Sequence, residues 1–288
     1  MFIRALLVLS YIAYCIKLRA APWKYFQLNA PYFNEQRNIF SKLDMDRLIP
    51  DQWKLEQFSD IGDQYPSRYP VFVKPEWGQN SQGIVRADNA KQLAEWRLNK
   101  KDTAINYLIQ QAAPGGREYE VFIVQSDLND DEAAIFSVTE TINNSDERFP
   151  VNGIYNQATS YKDITYYFSP EQARELRKHL KKIGQFRISR FGLRADSIKK
   201  LLDGNFHIIE INLFFPMPLM LISKNVKWPN RFRFCFKCMN KLALSTKKIP
   251  SSQPDKAIFF TKLKQSKTLK HSLLLRPANE MSSNNEHP

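Results

Sequence analysis

Short apolar runs, broken by prolines, glycines and polar turns, organise this chain. Residues 69–75, YPVFVKP, read as a buried strand punctuated by Pro70 and Pro75. The loop EWGQNSQG follows, and Asp88 is then placed to cap a helix with Ala90, Leu93 and Trp96 on one stripe. AINYLIQQ predicts a second strand, leading into the turn APGGRE. EYEVFIVQ and EAAIFSVTETI read as consecutive antiparallel strands around the polar turn SDLNDD. From Asn143 to Lys162 the chain is polar and reads as a loop. The clearest helix is SPEQARELRKHLKKIG, with Pro170 in its first turn, Leu176, Leu180 and Ile183 on one face, and Gly184 at its end. RISRFGLRAD and NFHIIEIN are strands joined by SIKKLLDGN, a connection longer than a two-residue hairpin. Upstream, RNIFSKLDMDRLIP is a helix-like run stopped by Pro50, and beyond about Gln253 the periodicity fades into an expected disordered basic tail.

Composition narrows the class. The chain has 288 residues, 43% of them hydrophobic, enough for one sizeable core or two intimate subdomains. A net charge of +13 favours anionic partners such as nucleotides, nucleic acid or acidic lipid without choosing among them. Three cysteines, Cys15, Cys235 and Cys238, make no disulfide framework and fit a reducing compartment, here the cytoplasm. The Cys235/Cys238 pair lacks a second pair to close a zinc site, so helix packing is the expected role. The apolar stretch between Arg4 and Lys17 is short for a membrane span and has the length of a signal-peptide h-region, but no convincing small-residue cleavage site follows. A packing helix or peripheral membrane association by residues 1–20 is therefore expected ahead of secretion or anchoring.

Three places carry chemistry. In HIIEIN, Glu210 and Asn212 are two apart on a strand and so present oxygens on one face, where burial without a partner is costly. They satisfy each other and nearby backbone, or they hold something charged. In VFVKPEWGQNSQGI, Lys74 ends a strand before a loop bearing Gly78, Ser81 and Gly83. That combination suits a phosphate under backbone N–H groups but is no Walker A motif, and a surface lysine beside a hairpin loop reads equally well. In YLIQQAAPGGREYEV, backbone at Gln111, Ala112 and Ala113 can meet an adenine edge, and Glu118 can accept from ribose hydroxyls. An ordinary turn with an exposed glutamate is the plainer reading.

The order of these pieces resembles the ATP-grasp superfamily, most nearly its D-alanine–D-alanine ligase-like branch, over about residues 30–225. The resemblance implies an α+β fold of two subdomains clamping a nucleotide, about 70–130 and 131–240, within a domain spanning 31–240. An apolar and aromatic segment, 1–30, precedes it, and a basic tail, 241–288, follows. It implies Arg37 at a nucleotide-contacting lysine's place, Lys74 on phosphate, and Gly78, Ser81 and Gly83 in the closing loop. Gln110, Gln111, Ala112 and Ala113 become the adenine hinge, and Glu118 the ribose contact. Arg190 takes the role of the arginine that stabilises the transferring acyl phosphate, and Glu210 and Asn212 hold magnesium. The implied cofactors are ATP and Mg2+, and the implied activity is ligation of a carboxylate to an amine through an acyl phosphate, with amino-acid-like substrates.

Three departures qualify it. Gly192 stands where the family has a metal-binding Asp. Asp196 lies on the same strand face but roughly 13 Å further along, so it serves only if the strand bulges. Otherwise another oxygen or a one-metal, water-completed site is expected. NLFFPMP replaces a glycine-rich stretch whose N–H helps form an oxyanion hole. Some thirty residues precede Arg37, too few for the family's N-terminal domain, so the acceptor pocket is expected to be different, incomplete or supplied by another chain, as in a homodimer. Two other classes compete: an ATP-binding protein without catalysis, and a nucleic-acid or membrane-surface binder using RELRKHLKK and KLKQSKTLKH. No base-reading motif accompanies those runs, so no specific nucleic acid is expected.

Overall fold

A computed structural model describes residues 2–78, 81–100, 105–125, 127–128 and 133–264. The middle of the expected phosphate loop, most of the turn SDLNDD and the tail from 265 lie outside the described residues. Helix α1 (Phe2–Leu18) opens the chain, followed by two 3-10 turns and the short α2 (Lys42–Arg47). Strands β1 (Gln57–Ser59), β2 (Val71–Pro75), β3 (Val85–Ala87) and β4 (Tyr107–Gln111) form one antiparallel sheet in the order β1-β4-β2-β3, with α3 (Ala90–Asn99) between β3 and β4. Strands β5 (Arg117–Val124), β6 (Ile135–Asn143), β7 (Thr159–Asp163), β8 (Ile188–Ala195) and β9 (His207–Asn212) form the second, in the order β7-β6-β5-β8-β9. Helix α4 (Pro170–Lys181) precedes β8, α5 (Ile198–Leu202) joins β8 to β9, and α6 (Trp228–Lys247) follows them.

The second sheet has two unlike faces, because successive residues of a strand point to opposite sides. Tyr119, Val121 and Ile123 of β5, with Phe191 and Leu193 of β8, pack on Leu176 and Leu180 of α4 and Leu201 of α5. The opposite face changes character along its length. On β5 it reads Glu118, Glu120, Phe122, Val124, and on antiparallel β8 it reads Arg194, Gly192, Arg190, Ile188. Its polar end faces a cavity. Its apolar end is covered by α1 and α6, where Leu7, Tyr11 and Cys15, one turn apart, meet Cys235, Cys238, Met239 and Leu242. Tyr11 Oη and Thr246 Oγ1 share a hydrogen bond of 2.9 Å across that pair. All three cysteines are buried and free, and among the described residues no helix is long and apolar enough to cross a membrane.

Several elements differ from the sequence expectation. Asn89, not Asp88, caps α3: its side chain accepts from the Gln92 N–H, while Asp88 N–H donates to Gln92 Oε1. The stretch expected as loop contains β7, an edge strand whose residues TSYKD are too polar to signal pairing. The longer connection SIKKLLDGN holds α5, capped by Ser197. The boundary between the two sheets falls at residues 112–116, not at 130, because β5 pairs with β6 and β8 throughout. Gly115 makes that turn with φ +104°, and a Cβ there would lie 2.9 Å from the Ala195 carbonyl carbon. Part of the segment expected as tail is helical. Residues 241–247 belong to α6, and 258–264 are helical, with Ile258 fully buried in the main core and Lys262 3.9 Å above the Trp77 ring.

Trp53 anchors the segment before β1 to the second sheet. It is fully buried, stacks on Phe206 at 4.9 Å and donates its indole N–H to Gly204 O at 2.7 Å. Trp53→Ala is expected to cost about 3–5 kcal/mol, read as a lower urea midpoint. A midpoint unchanged within error would refute this packing.

Candidate functional site

A cavity of about 520 Å³ lies between the sheets. Lys74, Glu118, Glu120, Arg190, Glu210 and Asn212 all line it. Lys74 leaves β2 to donate to Gln110 Oε1 at 2.5 Å. Burial pushes its pKa down to about 8, Lys42 adding to the effect and Glu210 and Glu118 opposing it. Lys42, on α2, donates to Pro75 O at 3.0 Å and lies 3.8 Å from Glu210 Oε1, and burial lowers its pKa too. Arg37 does not join this cluster. It pairs with the buried Glu76 and donates to Ser41 Oγ at 3.4 Å. Lys42 is the α2 cation brought to the polar end, a residue the sequence reading passed over because its helical run carries several charges.

Of the expected loop and hinge residues, Ser81 and Ala113 line the same space. Ser81, at φ +59°, donates to Asn152 O at 2.5 Å, and Gly83 follows at φ +74°. Gly78 would tolerate a Cβ, whose nearest neighbour is Pro75 Cβ at 3.5 Å. Asn152, in the segment after β6, donates in turn to Glu118 Oε2 at 2.9 Å, so loop and sheet are tied through it. Glu118 has its pKa raised by burial, against the pull of Asn152, Arg194 and Lys74. Of the hinge, the Gln110 amide donates to Gln57 Oε1 at 2.8 Å. The N–H groups of Gln111 and Ala112 bond Glu56 O and Pro70 O at 2.9 and 3.0 Å. Ala113 lines the cavity.

Glu210 and Asn212 sit at the end of β9, opposite Gly192 and Arg190 of β8. Burial pushes Glu210 up, yet Lys42, Arg190 and Lys74, with a hydrogen bond from Asn212, outweigh it and hold its pKa below the usual carboxylate value. Arg190 donates through Nη1 to Met217 O at 3.2 Å, and its Nε lies 3.0 Å from Glu120 Oε2. That approach is out of line for a hydrogen bond, so both buried atoms remain without a hydrogen-bond partner. Burial drives Glu120 to a pKa of about 7, Arg190 opposing this and Glu118 and Glu210 adding to it. The segment LFFPMP thus offers Arg190 a carbonyl, where the resemblance implied a glycine N–H.

The place of the missing Asp is occupied from the neighbouring strand. A Cβ built on Gly192 would lie 3.5 Å from Glu120 Oε1 and 3.0 Å from Ile209 Cγ1. A register shift between Gly192 and Leu193 leaves Ile209 unpaired on β9 and aims it at the same spot. Asp196 is not brought there. It is exposed at the far end of β8 and accepts from the Gly116 N–H at 3.2 Å. Glu120 was legible by the parity argument used for Glu210 and Asn212, since Glu118-x-Glu120 puts two carboxylates on one strand face. Among the described residues no three His, Cys, Asp or Glu side chains gather closely enough to hold a metal ion by themselves.

The family model for the D-ala D-ala ligase C-terminus matches residues 40–220. The chain belongs to that family. The match covers both sheets and every cavity-lining strand, so the family's ATP-grasp fold is the α+β arrangement described above. No curated protein sequence matches the chain significantly. Among solved structures, the VanG D-Ala:D-Ser ligase of Enterococcus faecalis is similar at 16% identity and TM-score 0.47, over 75% of this chain and 70% of that one. The D-alanine–D-alanine ligase of Bacillus anthracis complexed with ATP is similar at 15% identity and TM-score 0.47, over 72% and 67%. The L-amino acid ligase of Bacillus licheniformis gives 18% identity and TM-score 0.44, over 76% of this chain and 52% of that one.

Proposed function

We propose that this D-ala D-ala ligase-like protein is an ATP-dependent carboxylate–amine ligase working through an acyl phosphate. The carrying observation is one cavity whose polar end gathers Lys74, Arg190, Glu210, Asn212 and Glu120 on facing sheets. In this reading a substrate carboxylate oxygen attacks the γ-phosphorus of ATP and ADP leaves. An amine then attacks the acyl carbon, phosphate departs, and the amine loses a proton. Lys74 holds phosphate oxygens, Ala113 and Glu118 flank the nucleoside, and Arg190 balances the charge of the transferring group. The Ser81–Asn152 contact closes the site against water.

The donor set fits Mg2+. Glu210 and Asn212 offer hard oxygens, and Glu120 adds a carboxylate whose Oε2, ion-paired with Arg190 at 3.0 Å, makes no aligned hydrogen bond. With only these protein oxygens, nucleotide phosphates and waters would complete six ligands, as suits magnesium. When bound, the ion would neutralise charge on the phosphates. Glu120 takes the role the resemblance gave to an Asp at position 192, which excludes the need for Asp196.

Lys74 supplies a pH test. Phosphate binding favours the ammonium form, so ATP affinity is full below the free-protein pKa of about 8 and falls, up to tenfold per pH unit, above it. Lys74→Met is expected to weaken ATP binding about 10- to 100-fold and to flatten that slope. Calorimetric titration of ATP between pH 6.5 and 9.5 checks both. A variant binding as tightly as wild type would remove Lys74 from the site.

A further inference from the structure

The cavity does not end at the polar cluster. Beyond Arg190 it continues under the first helix, where Leu7, Val8, Tyr11, Met217, Met239 and Leu242 line it. The change in lining follows the sheet. At Glu120 to Phe122 on β5 and at Arg190 to Ile188 on β8, the cavity face turns from charged to apolar. The apolar end is built by α1 and α6, which lie outside the residues matched to the family. Val8 and Ile12 remain 41% and 37% exposed at its rim, so the chamber opens to solvent and is not sealed core. The cavity as a whole, about 520 Å³, falls in the range of roughly 300–1,000 Å³ usual for small-molecule sites.

We infer that the chamber between α1, α6 and the 215–219 segment seats the body of the carboxylate substrate, which carries an extended apolar group. The inference rests on the ligase reading for which end reacts. A carboxylate placed to receive a phosphoryl group beside Arg190 has the nucleotide on one side. The lined space left for the rest of the molecule is the apolar chamber. A substrate as small as alanine would leave that surface wetted, whereas each methylene entering it gains from burial. The single guanidinium of Arg190, tethered to Met217 O at 3.2 Å, marks the junction between head and body.

The test is binding first and turnover second. Acetate, octanoate, alanine and phenylalanine are titrated by calorimetry into the full chain loaded with Mg2+ and a non-hydrolysable ATP analogue. Octanoate or phenylalanine, or both, should bind at least 30-fold more tightly than the matching small compound, acetate or alanine. Which of the two prevails separates a fatty carboxylate from an apolar amino acid. Val8→Trp and Leu242→Trp fill the chamber from opposite helices. Each should reduce that binding at least tenfold while the analogue's stabilising shift in melting temperature persists. Val8 is partly exposed, so its variant keeps the test valid where Leu242→Trp fails to fold. Equal affinity for large and small carboxylates, or binding untouched by Val8→Trp, overturns the proposal. If apolar carboxylates bind but no ADP is released with ATP and any amine, the ligase reading fails and the chamber stands.

Discussion

Arg190→Ala is expected to lower kcat for ADP release with an accepted carboxylate by about 10²–10³-fold, with the KM for ATP changed less than threefold. The guanidinium is held from two sides, by Met217 O at 3.2 Å and by the Glu120 carboxylate at 3.0 Å. Both side chains of the pair are largely shielded, with 19% and 12% of their surfaces exposed. A fixed charge in such a place is worth most where negative charge is transferring, and less in the ground state. Arg190→Lys should recover little, because an ammonium cannot reach the carbonyl and the phosphoryl group from one rigid plane. A loss confined to KM would place Arg190 in ground-state binding only.

The second large effect concerns Glu120. Glu120→Ala should weaken Mg2+-dependent ATP binding at least tenfold and turnover about 100-fold, and a second change, Gly192→Asp, should recover at least tenfold of each. The rescue follows from geometry, since a Cβ at 192 points at the space where Glu120 Oε1 now lies, 3.5 Å away. In the wild-type background Gly192→Asp should instead impair binding, because its carboxylate would meet Glu120 as a like charge, whereas the contact of its Cβ with Ile209 is common to both backgrounds. Mn2+ binding to the ATP-loaded protein, followed by paramagnetic resonance, reads the metal separately from activity. If Glu120→Ala binds Mn2+ as wild type does, Glu120 serves only as the counter-charge to Arg190.

Residues whose signal is local were the ones legible in the sequence. Pro70 and Pro75 bound β2, Pro170 marks the first turn of α4, and the alternation in HIIEIN fixes which oxygens share a face. The harder features depend on partners distant in sequence. Lys42 matters because α2 lands against β9, bringing Nζ to 3.8 Å from Glu210, and nothing in KLDMDR distinguishes it from Arg47. The register shift beside Gly192 depends on pairing between β8 and β9, which single-strand patterns do not specify. Asp196 had the right parity, yet parity fixes only a face, and its distance along β8 puts it at the exposed end. The 258–264 helix follows polar residues that read as tail, and it is held by the burial of Ile258 in a core assembled from elsewhere.

One titration bears most directly on the claim that this cavity is a magnesium–ATP site held by Glu210. ATP is titrated calorimetrically into wild type and Glu210→Gln, each with Mg2+ and again with chelator. The predicted result is saturable binding by wild type with Mg2+, weakened at least tenfold both by the chelator and by Glu210→Gln. Binding of equal strength in all four samples, or none in wild type, would contradict the account.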